Sequence, residues 1–402
     1  MNQPLAPGSE LSTIPADLLA VDAAEMRALG YRVVDQVVEQ IAARGDGSAV
    51  RTGDPAELRA ALGGPVPVTP GDPLSAMQDL VDIALTHTQH TDHARYFARV
   101  PGPATFPAVL GDRLATGFQA FAGCWVGGSG PTTVEIVVLD WLRQLLGLPD
   151  GTQGILLSGG SMANMTGLIA VRAVLGDGVM YLSDQTHSSI SRGLRALGLP
   201  PEHVRALATG EDLRLDAGAA DPQKWSFQPY DIGALLVRRP GVLDQAFSMN
   251  PEYLIDVTSA GASDIAADFG EVDLRNRGLE LSRRSRALKL WLTLRTYGTD
   301  TLARAIERGI ALADHAASLL RANRRWQVVT AAQLGIVTFA RRGTADGDHA
   351  RAVADLTTDG YATLSTTMLH GRSRLRLCTI NPATTEADLR GTIERLAMSL
   401  AG

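Results

Sequence analysis

Lysine is almost missing from this chain: Lys224 and Lys289 are the only two in 402 residues, and 35 of the 37 basic residues are arginine. Cysteine is nearly as scarce. Cys124 and Cys378 cannot make a disulfide framework, which makes a reducing cytoplasm the default compartment. No apolar run is long enough to cross a bilayer, so no membrane partner is expected. The first stretch, MNQPLAPGSELSTIPADLLAV, lacks a basic n-region and an uninterrupted apolar core, and does not read as a signal peptide. The net charge of −6 argues against a nucleic-acid binder, which would show a basic face. What is present is a chain with 45% hydrophobic residues, enough to bury a large core. Its length fits one large subunit with a main domain and smaller ones.

Met26, Leu29, Val33, Val34, Val37 and Ile41 recur at helical spacing, which predicts an amphipathic helix over 24–44. A Gly- and Pro-rich loop (63–73) and a second helix running through Leu85 follow. Two helices with little around them form an arm suited to a partner subunit. Further on, an apolar helical stretch (134–148) precedes strands at 154–157, 179–183 and 234–237, with helices between them. That alternation predicts an α/β domain with a mostly parallel sheet. From Leu302 a long helix leads into strands at 326–329, 335–340, 361–365 and 374–379, with a helix at 350–358. A final helix opens on the capping-box spacing Thr385-x-x-Asp388. This reads as a small α+β domain.

Arginine stays charged, whereas lysine can lose its proton on burial and form a Schiff base. Lys224 sits in DPQKWSFQPYD, where Trp225, Phe227 and Tyr230 offer the apolar surroundings that lower an amine pKa. An ordinary surface lysine is the plain alternative. Lys289, in RRSRALKLWLTLR, reads as a solvated or snorkelling helix position. The strand–SGGSMAN–helix segment places Gly159 and Gly160 in a tight turn. Ser161 can donate a hydroxyl, and the N–H groups of Met162 and Ala163 open the helix, a cup suited to phosphate. A Ser-capped turn would look the same. His187, just past the next strand, lies at the sheet edge where ligands bind, but a capping histidine also fits there. His87, His90 and His93 repeat every third residue without an acidic partner or a general base, so no metal site is expected.

Phosphate cup, histidine and lysine follow one another in that order. The motifs LGYRVVDQVVEQIA, HARYFARVPGPATFPAVLGD, WVGGSGPTTVEIVVLDWLRQLLGLP, GILLSGGSMANMTGL, YLSDQTHSSISR, DPQKWSFQPYDIG, RRSRALKLWLTLRTYG and RLRLCTINPATTEADL span nearly the whole length. With them the chain resembles the group II pyridoxal-phosphate amino-acid decarboxylases, the aromatic-L-amino-acid and tyrosine decarboxylase relatives. The resemblance implies a fold type I PLP-dependent transferase-like architecture: a helical arm (1–92), a large cofactor domain (93–298) and a small domain (299–402). It implies pyridoxal 5′-phosphate as cofactor, an amino acid as substrate, decarboxylation as reaction and a homodimer as assembly. Ser161, Met162 and Ala163 would cradle the phosphate, His187 would stack on the ring, and Lys224 would carry the cofactor. Tyr96, Phe97 and Trp125 would contribute to a substrate pocket.

The chain departs from that pattern in three places. Only 36 residues separate His187 from Lys224, so on the order of 60–80 residues, at about 30 per βαβ unit, are absent near 219–220. The family's aspartate for the pyridine nitrogen would lie in that stretch, together with central strands. Gln223 stands where the family has histidine; it can still hydrogen-bond a phosphate but cannot titrate near neutrality. Leu274 aligns with a mobile-loop tyrosine and directly follows a stretch, 258–273, expected to be a mobile loop. Loss of that hydroxyl would favour an aldehyde synthase or aminotransferase-like reaction. The gap would instead favour a truncated homologue with a binding role.

Overall fold

The computed structural model describes residues 18–100, 102–207, 222–249 and 270–401, without the side chains of residues 222 and 223. The junction at 219–220 and most of the 258–273 loop lie outside these residues.

The arm consists of α1 (Ala23–Ala42), α2 (Pro55–Leu62) and α3 (Pro73–Asp79), the last running into a π-helical turn (Leu80–Leu85). Asp22, Asp54 and Asp72 each cap the helix that follows by accepting backbone N–H groups of its first turn. Although α1 is amphipathic, none of its residues is buried. Polar bonds from Arg32 and Gln36 to Gln78 tie it to α3.

The large domain begins with α4 (Phe106–Gly117) and α5 (Trp125–Leu145). Next come β1 (Gln153–Leu157), α6 (Gly160–Leu175), β2 (Met180–Ser183), α7 (Ser188–Ala196) and β3 (Val204–Leu207). After the undescribed stretch come α8 (Pro222–Trp225), β4 (Gly233–Val237) and α9 (Val242–Phe247). This is an α/β arrangement, but the expected mostly parallel sheet is not what the strands form. β1 pairs antiparallel with β4, β2 pairs parallel with β3, and among the described residues the two pairs do not join. Bridging strands are what the stretch expected to be absent near 219–220 would have supplied. β1 is buried along its whole length, with Leu156 facing one apolar cluster and Ile155 and Leu157 facing another. β2, β3 and most of β4 are only partly covered.

The register Leu156↔Ala234 turns the peptide groups of Leu156 away from β4. Among the described residues no strand meets them. Instead Leu156 N–H donates to Glu135 Oε1 (2.9 Å) and its carbonyl accepts from Arg283 Nη2 (2.6 Å). Arg283 and Glu135 also pair at 2.8 Å with both side chains at 0% exposure, and Arg283 Nη1 donates to Ala122 O. A buried ion pair therefore closes the edge of the most buried strand.

Helix α10 (Ala287–Ala322) joins the domains and is broken at Gly298, whose φ of 70° lies in the left-handed region. Its first half packs Ala287 and Leu290 on the large-domain core. Its second half packs Leu312, Ala316, Ala317 and Leu320 on the small-domain core. The small domain has the order β5–β6–β8–β7, all antiparallel, from β5 (Trp326–Gln333), β6 (Ile336–Arg341), β7 (Ser365–Leu369) and β8 (Arg372–Cys378). Helices α11 (Asp346–Thr358) and α12 (Glu386–Ser399) cover it, and α12 carries the expected capping box between Thr385 and Asp388. The strand expected at 361–365 is instead β7, which makes a hairpin with β8 through His370 and Gly371, both at positive φ.

Replacing Arg283 by Met leaves the buried Glu135 carboxylate without its counter-charge and the Leu156 carbonyl without a donor. The expected loss is about 3–5 kcal/mol of stability in denaturant unfolding. A loss below about 1 kcal/mol would show that the β1 edge is closed by other means.

Candidate active site

Helix α6 begins without any side-chain cap after Gly159, whose φ is 144°. The Ala163 N–H donates to Gly159 O at 3.0 Å and is therefore not available to a ligand, which corrects its expected role. Gly160, Ser161 and Met162 are the first three residues of the helix, and among the described residues nothing accepts from their N–H groups. Ser161 is exposed, Met162 half-buried and Ala163 buried. Three free donors at the positive end of a 16-residue helix suit a phosphate.

His187 caps α7, as the plain reading allowed: its Nδ1 accepts from the Ser189 N–H at 3.2 Å, which leaves the ring proton on Nε2. The ring itself is exposed. Ser189 Oγ lies 2.8 Å from His187 Nδ1 and accepts from Asn164 Nδ2 at 2.8 Å. This short chain of bonds ties His187 to the first turns of α6, so cup and histidine are brought together. Neither Asn164 nor Ser189 stood out in the sequence.

Lys224 lies in the short α8, ahead of a segment that ends at Gly233. A Cβ on Gly233 would run into the backbone of Gly159, so the strand after the lysine starts directly against the cup turn. Trp225 and Phe227 pack with Cys378, Ile380 and Ile336 of the small domain, and the Lys224 charge acts on the buried Cys378 thiol. Lys224 therefore sits between the domains, facing β8. The Gln223 side chain is outside the described residues.

The pocket residues separate. Phe97 is removed from the pocket: it has 0% exposure and belongs to the small-domain core beside Val337 and Leu377, so no surface remains for a ligand. Tyr96 donates to Gln89 Oε1 at 2.8 Å. Burial raises its pKa while the Arg99 charge opposes that, and Tyr230 is near enough to act on it. Trp125 starts α5, half-buried, with its N–H on Asp273 Oδ1 at 2.8 Å. Leu274 has 0% exposure in a 3-10 turn (Leu274–Arg277) whose four residues are all buried. It is a packed position rather than part of a mobile loop, so its identity gives no support to an aldehyde synthase.

One residue was missed. The alternation RSRLRLC sends Leu375 and Leu377 into the small-domain core and puts Arg376 on the Cys378 face, toward Lys224. Burial lowers the Arg376 pKa, and among the described residues no carboxylate pairs with it. Its Nη1 donates to Arg99 O. Lys289 is also not the solvated residue expected: its side chain is fully buried. His87 Nδ1 bonds Ile83 O, and among the described residues no group of three or more His, Cys, Asp or Glu could hold a metal ion.

The model of the pyridoxal-dependent decarboxylase conserved domain matches residues 55–214 and 199–342. The chain belongs to the pyridoxal-dependent decarboxylases. It is thus a pyridoxal-phosphate enzyme of amino-acid metabolism, a carboxy-lyase. An aromatic-L-amino-acid decarboxylase of Bacillus atrophaeus is 32% identical over 460 residues, covering 92% of this chain and 94% of that protein. A phenylacetaldehyde synthase of a Rosa hybrid cultivar is 26% identical, with 80% of each covered. The fold matches that of Catharanthus roseus tryptophan decarboxylase in complex with L-tryptophan at a TM-score of 0.85 and 21% identity, covering 95% of this chain and 99% of that one.

The alignment to the Bacillus decarboxylase has 460 positions but takes in 92% of 402 residues, or about 370. About 90 positions thus face no residue of this chain, near three βαβ units. The two pieces of the family match meet at 199–214, just ahead of the expected junction. The uncapped α6 and Lys224 fit the decarboxylase cofactor: free N–H donors for its phosphate and an amine for its aldehyde.

Gly233→Ala should push β4 off the cup turn. The expected result is binding of pyridoxal phosphate weakened about tenfold or more, read by absorbance titration of the folded variant. Unaltered affinity would show that the cup does not depend on this backbone contact.

Proposed function

We propose that this decarboxylase converts an aromatic L-amino acid to its amine and carbon dioxide, as a homodimer in the cytoplasm. Its nearly full-length match to an aromatic-L-amino-acid decarboxylase supports the substrate class. The arm supports a second copy, because Leu19 (96%), just ahead of α1, and Met26, Tyr31 and Val38 on it are exposed, with nothing among the described residues covering them. Two buried, unpaired cysteines suit a reducing compartment. Among the described residues no helix is long and apolar enough to cross a membrane.

In this reading the N–H groups of Gly160, Ser161 and Met162, with the Ser161 hydroxyl and Gln223, would hold the phosphate. His187 would stack on the ring, and Lys224 would attach the cofactor. When bound, the cofactor accepts the electron pair left as carbon dioxide departs. Arg376, half-buried and without a carboxylate partner among the described residues, would receive the substrate carboxylate. By holding that group it would fix which bond at the α-carbon is poised to break. Partial burial would make that ion pair stronger than a fully exposed one. Tyr96 and Trp125 wall the side-chain end. What supports this reading is that the Lys224 charge acts on Cys378, whose face of β8 also carries Arg376, and that Gly233, which ends the Lys224 segment, lies against the Gly159 turn of α6.

The separation of the β1–β4 pair from the β2–β3 pair favours one other reading, a chain that takes the cofactor but does not turn over. Loading with pyridoxal phosphate, borohydride reduction and peptide mapping should place the label on Lys224. Carbon dioxide should then exceed ammonia on a panel of aromatic amino acids. A folded protein that takes no label would sink both readings, and a label with neither product would leave the second. Arg376→Met should raise KM for the amino acid by about tenfold to a hundredfold while Lys224 labelling persists.

A further inference from the structure

Lys289 is the chain's other lysine, and its position is unusual for an amine. Its side chain is fully buried at the start of α10, and its Nζ has three acceptors: Asp112 Oδ2 at 3.2 Å, Pro229 O at 3.1 Å and Tyr230 O at 3.2 Å. An ammonium has three protons to donate, so each acceptor takes one. Burial lowers the Lys289 pKa, and the Asp112 carboxylate works against that shift. A Cβ on Gly111 would collide with the Lys289 backbone, so α4 crosses α10 at this residue and Asp112 is delivered beside the amine.

The two carbonyls belong to the segment that leaves Lys224. The same segment is held at two further points. The Phe227 carbonyl accepts from the Thr105 N–H at 3.0 Å, with Phe227 itself buried at a φ of 52°. Gln228 Nε2 donates to Thr293 Oγ1 at 3.1 Å, one turn along α10 from Lys289. Four successive acceptor or side-chain anchors thus bind residues 227–230 to the crossing of α4 and α10. A left-handed non-glycine residue such as Phe227 persists only where its surroundings fix it.

We propose that Lys289 is a positioning residue: its ammonium clamps the Pro229 and Tyr230 carbonyls against Asp112 and so sets where Lys224 meets the cofactor aldehyde. This rests on the assignment of Lys224 as the cofactor-bearing lysine. Lys289 does not react. It holds the backbone five residues beyond the amine that does, and that backbone has no sheet neighbour of its own until Gly233.

The test compares Lys289→Met with Leu356→Ala, a truncation in the small-domain core. In the apoprotein, amide hydrogen exchange over 226–232 should quicken in Lys289→Met and stay unaltered in Leu356→Ala. With pyridoxal phosphate, Lys289→Met should lower the apparent affinity about tenfold to a hundredfold. It should also move the pH midpoint of the bound cofactor's visible absorbance, which a loss of global stability alone would leave in place. Thr293→Val, nearly isosteric, should show the same changes to a lesser degree and serves if Lys289→Met does not fold. Exchange, affinity and pH midpoint all matching the Leu356→Ala control would overturn the proposal. If the parent chain takes no cofactor, the assignment of Lys224 fails, and exchange over 226–232 still decides whether the clamp exists.

Discussion

The Arg283–Glu135 pair is the constraint on which the rest of the large domain depends. It is fully buried, and it does what a neighbouring strand would do for Leu156. Glu135 belongs to α5, Arg283 to the segment entering α10, and Ala122, which takes a further bond, to the loop before α5. Three separate pieces of chain are therefore registered on one strand by two side chains. Glu135 Oε2 and Arg283 Nε find no partner among the described residues, so the pair bears a desolvation cost that hydrophobic residues would avoid. Its value lies in the geometry it imposes. With β1 fixed, the turn at Gly159 and the free end of α6 are fixed as well.

The opposite edge of the same sheet is left open. The register that directs Leu156 away from β4 also directs the peptide groups of Ala234 and Leu236 away from β1, where no described strand lies. The about 90 alignment positions without a residue are enough to account for the strands between β4 and β2. The chain has thus kept the two ends of a sheet and lost its middle. The cup and His187 remain joined through Asn164 and Ser189 at the α6–α7 contact, which needs no central strand. Lys224 is held from the other side, by the small domain and the α4–α10 crossing.

Much of this was legible in the sequence, for physical reasons. The 3.6-residue spacing in 24–44 and the alternation in 372–378 gave elements close to those found, because solvent and core impose those periods. The scarcity of lysine pointed to Lys224, and the capping-box spacing located the last helix. What escaped notice depends on contacts between distant segments. Lys289 reads as a surface helix position until α4 is known to cross there with Gly111 at the contact. Phe97 reads as a pocket aromatic until its peptide groups are seen to bond Thr363 and Cys378 of the small domain. Leu274 looked like a loop residue because burial of Asp273, Arg275, Asn276 and Arg277 runs against their polar character. The hydrogen bond that occupies the Ala163 N–H follows from where α6 starts, and single-residue boundaries are the least certain feature of a pattern. Arg376 could have been found: its place two residues from Cys378 puts both on one face of a strand.

Gly298 gives the molecule a mechanical property. α10 is anchored in one core before this residue and in the other after it. At a φ of 70°, with no neighbouring atom within 4 Å of where a side chain would be, it is the one place where the rod has no internal support. The Lys224 segment is anchored ahead of this residue, on α4 and the first turns of α10, and also meets the small domain through Trp225 and Phe227, whereas Arg376 belongs to the small domain alone. The break lies about 13 Å of helix beyond Lys289, at 1.5 Å per residue, so a change of torsion there would act on the packing of Trp225 and Phe227 against Cys378 and Ile380.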